Sequence, residues 1–222
     1  MTKVKEFFTS IQGEGPYVGY KQLFIRFCRC NLNCNYCDTD FRKNEKTLDY
    51  TPQELFTSVA PLLNNIHSVS LTGGEPLLET EFLRKFLPLL KGYKIYLETN
   101  GTLSEELLEI KPYIDIISAD IKLESATDIK NLCDRHDEFF KACQGVETFA
   151  KIVFDSTITD EEIQKTAVLG KKYGIELILS PKMVGNKPSV GAEFISAVLD
   201  KYLAYYEKVR VIPQVHKFMG VE

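Results

Sequence analysis

Short apolar runs alternate with helical patterns along this chain, and the runs end in polar motifs. Leu23-Phe24-Ile25-Arg26-Phe27, Ser68 to Thr72, Lys94 to Glu98, Ile114 to Ser118, Ala150 to Phe154 and Ile175 to Leu179 read as strands, with Val209 to Ile212 as a short closing one. Thr51-Pro52-Gln53-Glu54 is a capping box with proline at the first helical position, which predicts a helix to about Leu63. Thr159 and Glu162 form a second box, opening a helix to about Tyr173. Further helices are expected through Phe82 to Leu90 and over Ala192 to Tyr205, and the polar segment Glu124 to Gly145 is expected to form one or two helices outside the core. Such alternation makes parallel βα units. The expected fold is α/β, an incomplete TIM-type barrel of about six parallel strands, in which ligands bind at the C-terminal ends of the strands. With 222 residues and no repeat or linker, residues 1–222 are expected to form a single domain.

Three cysteines follow the first strand: Cys30, Cys34 and Cys37, spaced C-x3-C-x2-C. Three thiolates are one short of what a closed four-iron cluster or a structural zinc needs. On a [4Fe–4S] cluster they leave one iron open to a small molecule. The second strand ends in Thr72-Gly73-Gly74-Glu75-Pro76, where glycines let the backbone approach a ligand closely and a carboxylate can receive an ammonium group. The cysteine spacing and this run together resemble the radical S-adenosylmethionine (SAM) superfamily. The resemblance implies a [4Fe–4S] cluster on the three cysteines and SAM against Gly74 and Glu75. On the same rim, Ser118, Asp120 and Lys122 end the fourth strand, and Ser180, Pro181, Lys182 and Met183 end the sixth; by position these can hold the ribose, carboxylate and adenine of SAM. Glu98, Thr99 and Asn100 belong to the same rim. Cys133 and Cys143 read as ordinary thiols, while Cys28, whose spacing to Cys34 fits no common cluster pattern, is the alternative to Cys30 as a ligand.

The ends of the chain narrow the resemblance. Ser10-Ile11-Gln12-Gly13-Glu14-Gly15 precedes the first strand, Asp38-Thr39 follows the last clustered cysteine, and Gln214-Val215-His216-Lys217 lies in the tail. Together with Arg26 this pattern resembles, nearly end to end, the 7-carboxy-7-deazaguanine synthase family. Members rearrange 6-carboxy-5,6,7,8-tetrahydropterin to 7-carboxy-7-deazaguanine with loss of ammonia, in the route to queuosine and other 7-deazapurines. They use the cluster, SAM and Mg²⁺. The resemblance implies a 5′-deoxyadenosyl radical that takes a hydrogen from the pterin and later returns it, so that SAM is regenerated. Gln12, with the backbone of Ile11 and Gly13, can pair with the donor and acceptor edge of a pterin, and Glu14 can accept from its ring N–H groups. Arg26 is suited to grip the substrate carboxylate. Thr72 and His216 are expected at the substrate as well. Thr39 matches the family's magnesium position, with Asp38 as the ordinary chemical alternative.

Composition excludes other classes. A net charge of −4 gives no electrostatic case for a nucleic-acid partner. No apolar stretch is long enough to span a bilayer, and none follows Met1 to Glu6 as a secretory signal would require. A cytoplasmic location is expected, where six cysteines stay reduced. The family implies an electron donor of flavodoxin or ferredoxin type and a homodimer. Two other readings compete: a radical SAM activase that installs a glycyl radical on a partner protein, and a non-catalytic zinc module. The runs at the two ends argue against the first, and Thr72 to Pro76 is unexplained by the second. His67 precedes a strand, and His136 sits in the charged run Asp134 to Glu138, expected to be a solvated face.

Overall fold

The computed structural model describes residues 1–34, 47–130 and 132–221. Its sheet strands are β1 (Thr2–Ile11), β2 (Lys21–Phe27), β3 (Leu48–Tyr50), β4 (Ser68–Gly73), β5 (Ile95–Thr99), β6 (Ile116–Asp120), β7 (Glu147–Phe154), β8 (Glu176–Pro181) and, after the two-residue strands β9 (Met183–Val184) and β10 (Lys187–Pro188) of a small hairpin, β11 (Val209–Val211). The helices are α1 (Pro52–Val59), α2 (Thr80–Phe86), α3 (Ser104–Ile110), α4 (Glu124–Thr127), α5 (Cys133–Cys143), α6 (Asp160–Tyr173), α7 (Ala192–Leu203) and α8 (Val215–Met219).

Among the described residues the main sheet has nine strands in the order β11-β8-β7-β6-β5-β4-β2-β1-β3. The stretch from β2 to β11 is parallel throughout, and β1 and β3 extend it antiparallel at one edge. This is the incomplete barrel expected from the alternation, with β1, β3 and the β9–β10 hairpin in addition. Both capping boxes form. Thr51 Oγ1 accepts from Glu54 N and Glu54 returns a carboxylate oxygen to Thr51 N; Thr159 and Glu162 do the same for α6. Each cap contributes on the order of 1 kcal/mol.

Residues alternate across a strand with period two, and here the two faces have different chemistry. Val69, Leu71, Leu97, Ile117, Ala119, Ala150, Ile152 and Leu177 face outward into the large apolar core under the helices. The inward positions begin, low in the barrel, with Tyr96, Ile116, Phe149 and Ile178, a second small core closed by Tyr17 and Ile212. Higher up they become Thr72, Glu98, Asp120 and Lys151, all of which border a cleft.

The segment Glu124 to Gly145 differs from expectation. Phe139, Phe140 and Cys143 of α5 are buried in the main core, and His136 is 1% exposed. The run around His136 is polar in sequence, but helical spacing puts His136, Phe139, Phe140 and Cys143 on one face. Solvent sees only the rest.

Candidate functional site

The cleft lies at the C-terminal ends of the parallel strands and measures about 330 Å³. Its walls have three sources: the cysteine loop, the strand ends, and a bridge between the two chain termini.

The cysteine loop lies against the turn after β4. Gly74 N donates to Phe27 O at 3.0 Å and Glu75 N to Arg29 O at 2.6 Å. A methyl group on Gly74 would stand 2.0 Å from Arg29 O, and one on Gly73, which adopts φ +117°, would stand 2.4 Å from Phe27 N and O. These glycines are required by close backbone approach. Cys30 and Cys34 border the cleft; Cys37, with Asp38 and Thr39, lies outside the described residues. Cys30 Sγ accepts from Leu32 N at 3.4 Å, and Asn100 Nδ2 stands 3.9 Å from it. Sulfur facing N–H donors suits a thiolate ligand, so these residues fit an iron–sulfur cluster.

Of the residues expected at SAM, Gly74, Asp120, Lys122, Lys182 and Met183 border the cleft. Lys122 Nζ pairs with Asp120 at 2.7 Å, and Lys182 Nζ with Asp155 at 3.3 Å. Glu75, Ser118, Ser180 and Pro181 are buried and do not border it. The Glu75 carboxylate accepts from Leu77 N, Thr99 Oγ1 and Asn100 N. Burial pushes its carboxyl up to about 7 despite those three donors. Ser118 bonds the Tyr96 hydroxyl beneath the cleft, and Ser180 Oγ donates to Ile212 O at 2.7 Å.

Of the residues expected at the substrate, Ile11, Gln12, Gly13, Glu14, Arg26, Thr72 and His216 all border the cleft. Both amide N–H donors of Gln12 are engaged. Its nitrogen donates to Gln22 at 3.0 Å and to Glu98 at 2.9 Å, while its oxygen accepts from Glu14 N at 3.0 Å. Arg26 gives Nε to Glu6 at 2.7 Å and lies over the Phe8 ring, which leaves its terminal nitrogens for a carboxylate. Thr72 Oγ1 donates to Glu98 at 2.6 Å.

Lys151 is the residue that sequence reasoning missed. It is ion-paired to Glu14 and stands 3.3 Å from Asp120. The available signal was a lysine inside the apolar run Ala150 to Phe154. Gln214 closes the group, donating to Glu14 at 2.5 Å, and Val215 N donates to Gly13 O at 2.8 Å. The tail therefore seats on the segment 12–14. A methyl group on Gly13 would stand 2.5 Å from His216 Cβ.

An incomplete parallel barrel with a glycine turn pressed under a cysteine loop is the architecture of one large enzyme class. Residues 24–177 match the model of the Radical SAM superfamily, well over half of the chain. The chain is 36% identical to the 7-carboxy-7-deazaguanine synthase of Geobacter sulfurreducens, over 98% of this chain and 97% of that protein. It is also 36% identical to the synthase of Archaeoglobus fulgidus, over 97% of each. The crystal structure of QueE from Escherichia coli covers 97% of this chain and 94% of that one, with a TM-score of 0.62 at 16% identity, a likeness of fold. The chain belongs to the 7-carboxy-7-deazaguanine synthase family of radical SAM proteins. Among the described residues no helix is long and apolar enough to cross a membrane.

Proposed function

We propose that this chain is a radical SAM lyase that converts 6-carboxy-5,6,7,8-tetrahydropterin to 7-carboxy-7-deazaguanine with release of ammonia. The observation that carries the reading is that one cleft is lined by Cys30, Cys34 and Gly74 and also by Arg26, Glu14 and His216. The relatives' shared name supports the same activity.

Bound to Cys30, Cys34 and Cys37, a [4Fe–4S] cluster with SAM supplies the one-electron, hydrogen-abstracting chemistry that this rearrangement needs. The chain's own residues orient the pterin. Arg26 takes the carboxylate through its terminal nitrogens. Glu14 and Glu98 accept from ring N–H groups, and Gln12 holds both in place rather than pairing with the ring itself. Lys151 balances their charge. Thr72 fixes Glu98, and His216 with the seated tail excludes water from the substrate side. Gly74, Asp120, Lys122, Lys182 and Met183 would hold SAM, with Glu75, Ser118, Ser180 and Pro181 fixing the strand ends beneath them. Thr39, or Asp38 as the ordinary chemical alternative, would hold Mg²⁺ together with the substrate carboxylate and waters.

With this reading come a flavodoxin- or ferredoxin-type electron donor, a homodimer, a cytoplasmic location and a single working unit over residues 1–222. The test is an anaerobic assay of reconstituted, reduced protein with SAM, Mg²⁺ and the carboxytetrahydropterin, read by mass spectrometry. Product without matching loss of SAM supports the proposal. Cleavage of SAM with the pterin untouched overturns the substrate assignment.

A further inference from the structure

Three side chains from two distant stretches close a ring of hydrogen bonds beside the cysteine loop. Asn31 Nδ2 donates to Thr102 Oγ1 at 2.9 Å, Thr102 Oγ1 donates to Asn100 Oδ1 at 2.6 Å, and Asn100 Nδ2 donates to Asn31 Oδ1 at 2.7 Å. Asn100 and Thr102 are buried. The backbone under the ring is fixed from the turn after β4: Asn100 N donates to Glu75 at 2.7 Å, Thr99 Oγ1 to the same carboxylate at 2.8 Å, and Gly101 N to Thr99 Oγ1 at 3.2 Å.

The ring has a direction. Turning both amides over would close it equally well, but Asn100 would then present its oxygen to the Cys30 sulfur. In the sense observed, its Nδ2 faces that sulfur at 3.9 Å. Asn100 Nδ2 carries two hydrogens, and Asn31 uses one. A negatively charged sulfur selects this sense and an apposed oxygen opposes it. N–H donors at cluster sulfurs favour the reduced cluster and raise its potential.

We propose that Asn100 is a positioning residue for the cluster: locked by Thr102 and Asn31, its side-chain N–H raises the reduction potential of the group bound at Cys30. This rests on the iron–sulfur reading of the cysteine loop. A simple loop staple would need the same three bonds but would not depend on which end of the amide faces the sulfur.

Anaerobically reconstituted full-length protein is compared with Thr102→Val and Asn100→Asp. Thr102→Val keeps the shape and removes the clamp on the amide without adding charge. Asn100→Asp replaces the donor with an acceptor. Iron and sulfide per chain are measured first, and the midpoint potential follows by redox titration monitored by electron paramagnetic resonance, without SAM. The expected result is a midpoint shifted to more negative values in Thr102→Val and further in Asn100→Asp, at unchanged iron content. If Asn100→Asp does not fold, Thr102→Val against the parent decides. Coincident midpoints overturn the proposal. So does a loss of iron with the remaining cluster titrating as in the parent, because that is a staple alone. Absence of iron and sulfide from the parent protein overturns the cluster reading and this proposal with it, and is seen before any variant is compared.

Discussion

Lys151 on β7 forms an ion pair with Glu14, a residue 137 positions earlier in the chain. Burial alone would raise the Glu14 carboxyl, but the ammonium beside it holds it below the ordinary carboxylate range. Burial alone would lower Lys151; Asp120 and Glu14 hold it well above the usual lysine range. Each charge is tolerable in the cleft wall because of the other.

Lys151→Met leaves Glu14 and Asp120 in the wall with this cation gone. The expected cost is about 3–5 kcal/mol of stability, the range for breaking a buried pair from one side. Urea unfolding measures it. The double variant with Glu14→Gln recovers part of the loss, and a single variant that unfolds at the parent midpoint contradicts the pairing.

Arg26→Ala removes the grip on the substrate carboxylate and leaves the cysteine loop intact. A hydrogen bond to a charged group is worth about 1.5–3 kcal/mol, so kcat/KM falls roughly 10- to 150-fold, mostly through KM. Iron content stays at the parent level. Full turnover at low substrate would remove Arg26 from the substrate site.

Gly74→Ala puts a methyl group 2.0 Å from Arg29 O, a contact that only backbone movement relieves. The loop carrying Cys30 must shift, so iron per chain after reconstitution is expected to fall. Retention of full iron would show that the turn can move without the loop.

Two buried groups give stability opposing pH slopes. Burial pushes Glu75 up to about 7 from 4.5, and burial pushes His136 down to about 4 from 6.5. Between those unfolded values the folded chain keeps a proton on Glu75 that the unfolded chain has released, so this group makes stability fall as pH rises. Over the same window the unfolded chain protonates His136 and the folded chain does not, so this group makes stability rise. Each slope approaches about 1.4 kcal/mol per pH unit, and in the parent they offset. Glu75→Gln is expected to unmask stability rising from pH 5 to 6, and His136→Gln stability falling. Urea midpoints at three pH values decide, and slopes of the same sign in the two variants would contradict the assignment.

What the sequence made legible was local. The parallel strands and both capping boxes are written in short runs, because a strand buried on two faces must be apolar and a cap needs only a threonine and a glutamate three apart. β1 was not legible: it pairs at an edge, is mostly half-buried, and shows no clean alternation. The cleft residues on strand ends were visible as polar motifs, yet Gln12 and Glu75 turned out to be spent on protein partners, which only the three-dimensional hydrogen bonding reveals. His136 was legible and misread. Its helical spacing to Phe139, Phe140 and Cys143 marks an inner face that the charged neighbours conceal. Its ring bonds Gly101 O at 2.9 Å and accepts from Lys122 N at 3.2 Å, tying two strand ends together.

The seat of Val215 on Gly13 joins the start of the chain to its end. On a ribosome the two halves of the cleft therefore come into being at different times. The contacts described on the cysteine side draw on residues 27–102. The substrate side waits for His216, which is 114 residues after Thr102 (216 − 102). At roughly 5–20 residues per second that is an interval of about 6–23 s. The tail, when it arrives, seats on Gly13 and Glu14 and completes the substrate side, while Cys30 stays exposed and open to metal delivery before and after.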